Sequence, residues 1–465
     1  MKPAFCPGPQ SRRDFLKFGA LTLGGLSAAG IVPWKLQAAD HASDTAVIFI
    51  WLPGGPPHME MYDMKPDAPA EYRGDFRPVR TNVPGIDICE HLPMHTRIAD
   101  KFTIIRSIAH NFADHGGGHK RFLTGRDPAQ PTGFVNDHPM VGSMVYKVRG
   151  QRPGGVPNYI CGTDGGRDQI DVFSFGSAYL GASVHPFTFA GDPTEPTFNV
   201  RNLRSIQTEE RLNERLNLLQ RLDATPNSRD HTGTMAAMGT YRNRALDMLT
   251  TDDARRAFDL SLEPQRVRER YGMHRYGQRA LLARRLVEAG ANFVTMVMEN
   301  PSFPGQSFPA DATYNWDSHA VNCHIFNDSR FRFPMYDRAV TALIEDLYER
   351  GLDRRVLLIV TGEFGRTPRI TYATGTQTGV TQPGRDHWPS AMSLIVSGGG
   401  MKMGQVIGAT NARGEYPTQR RMTPNDLWAT MFHHLGIDHN HTSFLDHSGR
   451  PMPILPHGTP IEELL

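Results

Sequence analysis

Four stretches of the chain place histidine beside a carboxylate: His58 with Asp63, Asp114 with His115 and His119, Asp317 with His319, and Glu363 with Asp386 and His387. Imidazole nitrogen and carboxylate oxygen are the donors that divalent ions such as zinc and manganese take from proteins. Asp317-Ser318-His319 is short enough for one turn or one extended piece to offer both side chains to a single ion. Simpler work is open to the same residues. Glu363 can pair with Arg366, His387 can cap a loop, and the histidines at 110, 115 and 119 can be solvated loop residues.

Position sets these stretches apart, because each adjoins a short apolar run. Residues 46–52 (AVIFIWL) lead into Pro53-Gly54-Gly55-Pro56-Pro57-His58, and 102–107 (FTIIRS) lead to His110, His115 and His119. Residues 292–299 (NFVTMVME) precede Trp316-Asp317-Ser318-His319. Residues 356–360 (VLLIV) break at Gly362-Glu363-Phe364-Gly365-Arg366, and Gly384-Arg385-Asp386-His387 leads into the run at 392–396. Short, wholly apolar runs read as strands buried on both faces, as in a parallel sheet, where ligands sit at the carboxyl ends of strands. A further short strand is expected at 158–161 and helices at 139–148, 335–350 and 423–435. The last opens with Thr423-Pro424-Asn425-Asp426, a strong helix start.

The expectation is an α/β fold with a mostly parallel central sheet flanked by helices. Four clusters converging on one sheet edge suit one or two divalent ions. A charged block with helical period, read as helices at 208–222, 235–260 and 264–289, is expected to form a helical insertion at about 205–290.

Ser11-Arg12-Arg13-Asp14-Phe15-Leu16, a Gly/Ala-rich apolar stretch and Leu36-Gln37-Ala38-Ala39 read as a twin-arginine export signal over residues 1–39. An uncleaved anchor with a basic N-terminus is the other reading. Residues 40–465 then form one domain, periplasmic or extracellular, with no stable membrane span after signal removal. The whole chain has 50 Lys and Arg against 48 Asp and Glu. Removing five basic residues and one acid with the signal leaves 45 against 47. No basic block argues for nucleic acid. Cys89, Cys161 and Cys323 are too few and too irregular for a disulfide framework or a CxxC zinc site, and allow one bridge at most.

Several motifs together resemble a known family. They are the export signal, Trp-Leu-Pro-Gly-Gly-Pro-Pro-His at 51–58, Met-Lys-Pro-Asp-Ala-Pro-Ala-Glu-Tyr-Arg-Gly at 64–74 and Cys89-Glu90-His91-Leu92-Pro93. Trp316-Asp317-Ser318-His319, Gly362-Glu363-Phe364-Gly365-Arg366-Thr367-Pro368 and Gly384-Arg385-Asp386-His387-Trp388-Pro389 complete the set. Nearly the whole chain after the signal resembles the "domain of unknown function 1501" family, a branch similar to the alkaline phosphatases and sulfatases. The resemblance implies that fold and an exported, metal-dependent hydrolase of sulfate or phosphate esters, with an anionic ester or sulfated glycan as substrate. It implies Asp317, His319, Glu363 and His387 as ligands of zinc, calcium or manganese. Setting Thr124-Gly125 on the end of the sulfatase motif C-x-P-S-R-x-x-x-x-T-G places His115 at the nucleophile and His119 at the arginine. No residue there can become formylglycine. Phe364 stands where many relatives carry a second ligand, and His58 and Asp63 are the expected substitutes. His115 is then a nucleophile or a general base on water, and Arg366 neutralises anionic charge near the transition state. The same departures suit a non-catalytic relative that binds anionic glycans or a cell-envelope partner.

Overall fold

The structure, a computed structural model, describes residues 44–465 apart from 152–155, 165–172, most of 196–251 and residue 304. The expected export signal, and most of the expected helices at 208–222 and 235–260, lie outside the described residues.

Among the described residues, eight strands form the main sheet. In chain order they are β1 (Ala46–Trp51), β2 (Phe102–Ile108), β3 (Tyr159–Thr163), β4 (Phe187–Ala190), β5 (Phe293–Val297), β6 (Val356–Thr361), β7 (Met392–Gly398) and β8 (Gln405–Ile407). Their spatial order is β8-β2-β7-β6-β1-β5-β3-β4. β1 lies in the middle, parallel to both neighbours, with Val47 opposite Phe293 on one side and Leu357 on the other. β7 alone is reversed, antiparallel to β6 and β2; the other pairings in this sheet are parallel. The mostly parallel sheet expected from the apolar runs is present. β4 and β8 carry too few consecutive apolar residues to announce themselves.

Alternate residues of β1 face two cores, as a period of two requires. Ile48 and Ile50 pack with Leu281, Leu282 and Leu286 of α3 (Arg275–Glu288) and with Val340, Leu343 and Ile344 of α4 (Ile325–Glu349). Val47, Phe49 and Trp51 pack with Phe122 of α1 (His115–Thr124), Val145 of α2 (Val141–Arg149), and Trp428 and Phe432 of α5 (Pro424–His434). Both faces of the sheet are therefore covered.

The described C-terminal part of the expected helical insertion includes α3, which packs its apolar face on β1 and β5. The single helix expected at 264–289 is two, broken where Gly272 adopts φ +97. α4 starts ten residues before the expected position because Pro334 is accommodated inside it and His324 caps it, accepting from Asn327 N–H. Cys89, Cys161 and Cys323 are free and buried. No helix among the described residues is long and apolar enough to cross a membrane.

His274 caps α3, its Nδ1 accepting from Gly277 N–H at 3.1 Å. Burial, helped by the Arg338 charge, lowers its pKa to about 4. The folded value lies below the unfolded one, so between pH 6.5 and 4 the unfolded chain binds the extra proton and stability falls as pH falls. The whole shift is worth about 3 kcal/mol. His274→Asn keeps a capping side chain without the titration. It is expected to flatten the loss of stability between pH 7 and 4 in urea unfolding.

Candidate metal centre

The donors meet at the edge where β1, β2, β5 and β6 end. β6 stops at Thr361 and turns Glu363 inward, where it is fully buried and its Oε1 accepts from Gly54 N–H at 2.8 Å. Gly54 has φ +111, and a Cβ there would lie 2.5 Å from the Asp317 nitrogen. The loop after β1 thus meets the Asp317 loop backbone to backbone, which glycine alone permits. The reversal of β7 brings in His387. A strand antiparallel to β6 begins where β6 ends, so the residues before β7 lie at the same rim. There His387 pairs with Arg366 in a short two-residue ladder.

Asp317, His319 and His387 form one donor group. The two Nε2 atoms are 2.8 Å apart, and Asp317 Oδ1 lies 3.1 Å from His319 Nε2 and 3.2 Å from His387 Nε2. His387 Nδ1–H donates to the Ala113 carbonyl at 2.6 Å, and His319 Nδ1–H donates to Asp386 Oδ1 at 2.7 Å. Each outer hydrogen bond fixes the tautomer that leaves Nε2 with its lone pair, the usual support of a ligating histidine. Two lone pairs facing each other beside a carboxylate repel unless a cation joins them. Burial lowers the His387 pKa and favours its neutral, ligating form, against the Asp317 carboxylate, which favours the protonated ring. Burial alone would raise Asp317. The Arg366 charge, with His115, His319 and His387 close by, instead holds its carboxylate far below the usual range. Asn322 Nδ2 donates to Asp317 Oδ2 at 2.9 Å.

Glu363, His115 and His119 form a second group. Glu363 Oε1 is 2.8 Å from His115 Nδ1 and 3.1 Å from His119 Nε2. Both nitrogens of His119, Glu363 Oε2 and Trp51 Nε1 are buried without a hydrogen-bond partner among the described residues. Such atoms cost about 1–3 kcal/mol each if nothing answers them. His115 belongs to both groups, since its Nε2 lies 3.4 Å from Asp317 Oδ2. Its burial would lower its pKa, but hydrogen bonds to Asp317 and Glu363 raise it to about 9. Donors of His115, Asp317 and His387 lie within 4.8 Å of one another, as do those of His115, His119 and Glu363. Orphaned polar atoms, paired lone pairs and an N/O donor set all fit a divalent ion.

Phe364 walls the site, its ring 4.5 Å from that of His387 and 5.4 Å from that of His115. A Cβ on Gly118 in α1 would come within 2.9 Å of Phe364 Cδ1 and 3.4 Å of Glu363 Cγ. Alanine in a helix gains about 1 kcal/mol over glycine, whereas overpacking costs about 1–3 kcal/mol. Gly118→Ala is therefore expected to be net destabilising in urea unfolding.

The structure brings Asp317, His319, Glu363, His387, His115 and His119 together. It does not bring His58 and Asp63 to them. The turn after Pro57 buries both side chains on other partners. His58 Nδ1 accepts from Arg366 N–H at 3.3 Å and its Nε2 meets the Gly414 carbonyl at 3.3 Å. Asp63 takes Lys65 at 2.8 Å, Arg106 at 3.6 Å and the Thr410 hydroxyl. Arg366 also differs from its expected anion-facing role. Its buried guanidinium donates to the carbonyls of Gly54, Gly55 (2.8 Å), Trp316 (3.0 Å) and Arg385 (3.3 Å), and to Asp317 Oδ1 at 2.7 Å. Asp386, grouped by sequence with Glu363 and His387, supports His319 through its Nδ1 instead. Asn322 and the Ala113 carbonyl carried no signal in the sequence.

Fold and site define an α/β protein with a candidate metal centre at the carboxyl edge of a mostly parallel sheet. The chain belongs to the family described as "protein of unknown function (DUF1501)", which matches residues 44–465. No curated protein matches it. Similar solved structures include one from Bacteroides thetaiotaomicron described under metabolism of multiple glycosaminoglycans, at 13% identity and TM-score 0.37, covering 84% of this chain and 73% of that one. The zinc-bound C-terminal periplasmic domain of EcEptC from Escherichia coli is 10% identical, at TM-score 0.35 and coverages of 85% and 84%. A TAB5 alkaline phosphatase mutant with magnesium bound is 10% identical, at TM-score 0.38 and coverages of 84% and 98%.

Proposed function

We propose that the chain is an exported, metal-dependent hydrolase of sulfate or phosphate esters. One observation carries the reading: two histidine Nε2 atoms, each with its Nδ1–H committed outward, converge with a carboxylate oxygen at 2.8–3.2 Å. Asp317, His319 and His387 would hold the ion. A divalent ion in such a site polarises an ester oxygen and makes water acidic.

The chain's own groups set the rest. No hydroxyl or thiol stands at the head of α1, where His115 is the first residue. Both nitrogens of His115 are committed, Nδ1 on the Glu363 side and Nε2 on the Asp317 side, so neither is free for attack or for proton abstraction, and the attacking group in this reading is water. Arg366 holds the loops that carry Asp317 and Gly54 in register. Lys120 donates to the Gln130 and Thr132 carbonyls and Arg385 is spent on Glu60. With these groups engaged, the ion would carry much of the charge of an anionic ester.

The protein purified without chelator is expected to carry a divalent metal. It is also expected to hydrolyse members of a panel of aryl sulfates and phosphates, to lose turnover on chelation and regain it on metal return. His319→Ala is expected to lose the ion. Turnover that survives complete metal depletion would sink the reading. The helix head without a hydroxyl or thiol favours a second one, a non-catalytic protein that binds anionic glycans or a cell-envelope partner. Glycan binding that persists through chelation, with no turnover on the panel, would select it.

A further inference from the structure

The two donor groups share one ring. The geometry points to a second cation position formed by His119, Glu363 and His115 Nδ1, joined to the first position through the His115 imidazole. This rests on the proposed centre at Asp317, His319 and His387 and extends it from one ion to a bridged pair.

His119 carries most of the argument. It is 3% exposed, and neither ring nitrogen has a hydrogen-bond partner among the described residues, although Nε2 stands 3.1 Å from Glu363 Oε1. Glu363 Oε2 is likewise buried and without a partner. Buried polar groups as a rule find hydrogen-bond partners. Aromatic rings surround His119. Trp51 meets it edge-on at 5.4 Å, and Phe134 and Phe173 lie at 5.3 and 6.5 Å. The nearby cations are engaged elsewhere, Arg366 and Lys120 on backbone carbonyls. Two nitrogens and a carboxylate oxygen in an aromatic shell make a donor set that zinc accepts.

His115 supplies the link. Its Nδ1 points to the Glu363 side and its Nε2 to the Asp317 side, so each carboxylate meets one nitrogen of the same ring. When both nitrogens bind an ion, the ring is imidazolate and its two N–H protons pass to solvent. The resulting anion sits between two dications.

The test is metal stoichiometry and spin coupling on the full chain, stripped of metal and reloaded. Wild type is expected to bind two equivalents of zinc, and His119→Phe one. In the copper(II)-loaded form the wild-type spectrum is expected to show an exchange-coupled pair, and His119→Phe the signal of an isolated ion. Phenylalanine matches the aromatic shell and removes two orphaned polar atoms. The metal-free variant is therefore expected to melt no lower than metal-free wild type, which separates a lost site from a lost fold. One equivalent in wild type at saturating zinc, lost in Asp317→Ala, would overturn the second position and keep the first. No bound ion in wild type would overturn both. Two equivalents with uncoupled spectra would overturn the shared ring.

Discussion

Asp317→Ala is expected to abolish tight metal binding at the first donor group and to lower turnover of any confirmed ester by at least about a thousandfold, or ~4 kcal/mol of transition-state stabilisation. Asp317 Oδ1 is the only carboxylate oxygen within 3.2 Å of both His319 Nε2 and His387 Nε2 among the described residues. Without it, two neutral imidazoles hold a dication beside the uncompensated Arg366 charge. Removing a partner one step further out is milder. Asp386→Ala frees the Nδ1 of His319 and is expected to weaken metal affinity about 10–100-fold while leaving the donor set intact. Isothermal titration with zinc on both variants measures the contrast. Equal losses would mean that Asp386 is itself a ligand, and no loss in Asp317→Ala would remove the centre.

Arg366→Met is expected to destabilise the fold by about 3–5 kcal/mol, the cost of removing one member of a buried charge pair. The guanidinium satisfies the carbonyls of Gly54, Gly55, Trp316 and Arg385 as well as Asp317. Arg366→Lys is expected to recover little, because an ammonium cannot span that set of acceptors as a planar fork does. Urea unfolding of the metal-free proteins separates the alternatives. A residue that served only to neutralise substrate would leave stability unchanged and raise KM. A residue that ties three loops together lowers stability before any substrate is present.

Much of this site was legible because apolar runs and polar clusters alternate along the chain. The stretch from Val356 to Glu363 reads directly as a buried strand ending in a ligand, and Asp317-Ser318-His319 reads as a ligand pair. His387 was harder to place, since in an all-parallel sheet a residue before a strand sits at the opposite edge from one after a strand. Only the reversal of β7 reconciles the two, and periodicity carries no information about strand direction. His58 and Asp63 share the composition of a metal site, but the helical turn His58–Met61 carries them to Gly414, Lys65 and Thr410. Arg366 was misread for a related reason. An arginine beside expected metal ligands suggests contact with an anionic substrate, whereas here the carbonyls of the positive-φ turn at Gly54 and Gly55 are what it answers. The helix start at Ile325 was hidden behind Pro334, because sequence rules stop a helix at proline while packing against the sheet sustains it.

The central position of β1 has a kinetic cost during synthesis. Its six buried residues leave the ribosome early, yet Val47 must wait for Phe293 and then for Leu357. At ~5–20 residues per second that interval lasts tens of seconds. Through all of it the segment AVIFIW is a nascent apolar strand with two open edges, the kind of segment that associates with neighbouring chains. Ribosome-bound chains arrested before β5 should therefore recruit holdase chaperones or aggregate, and chains extended beyond Thr361 should not.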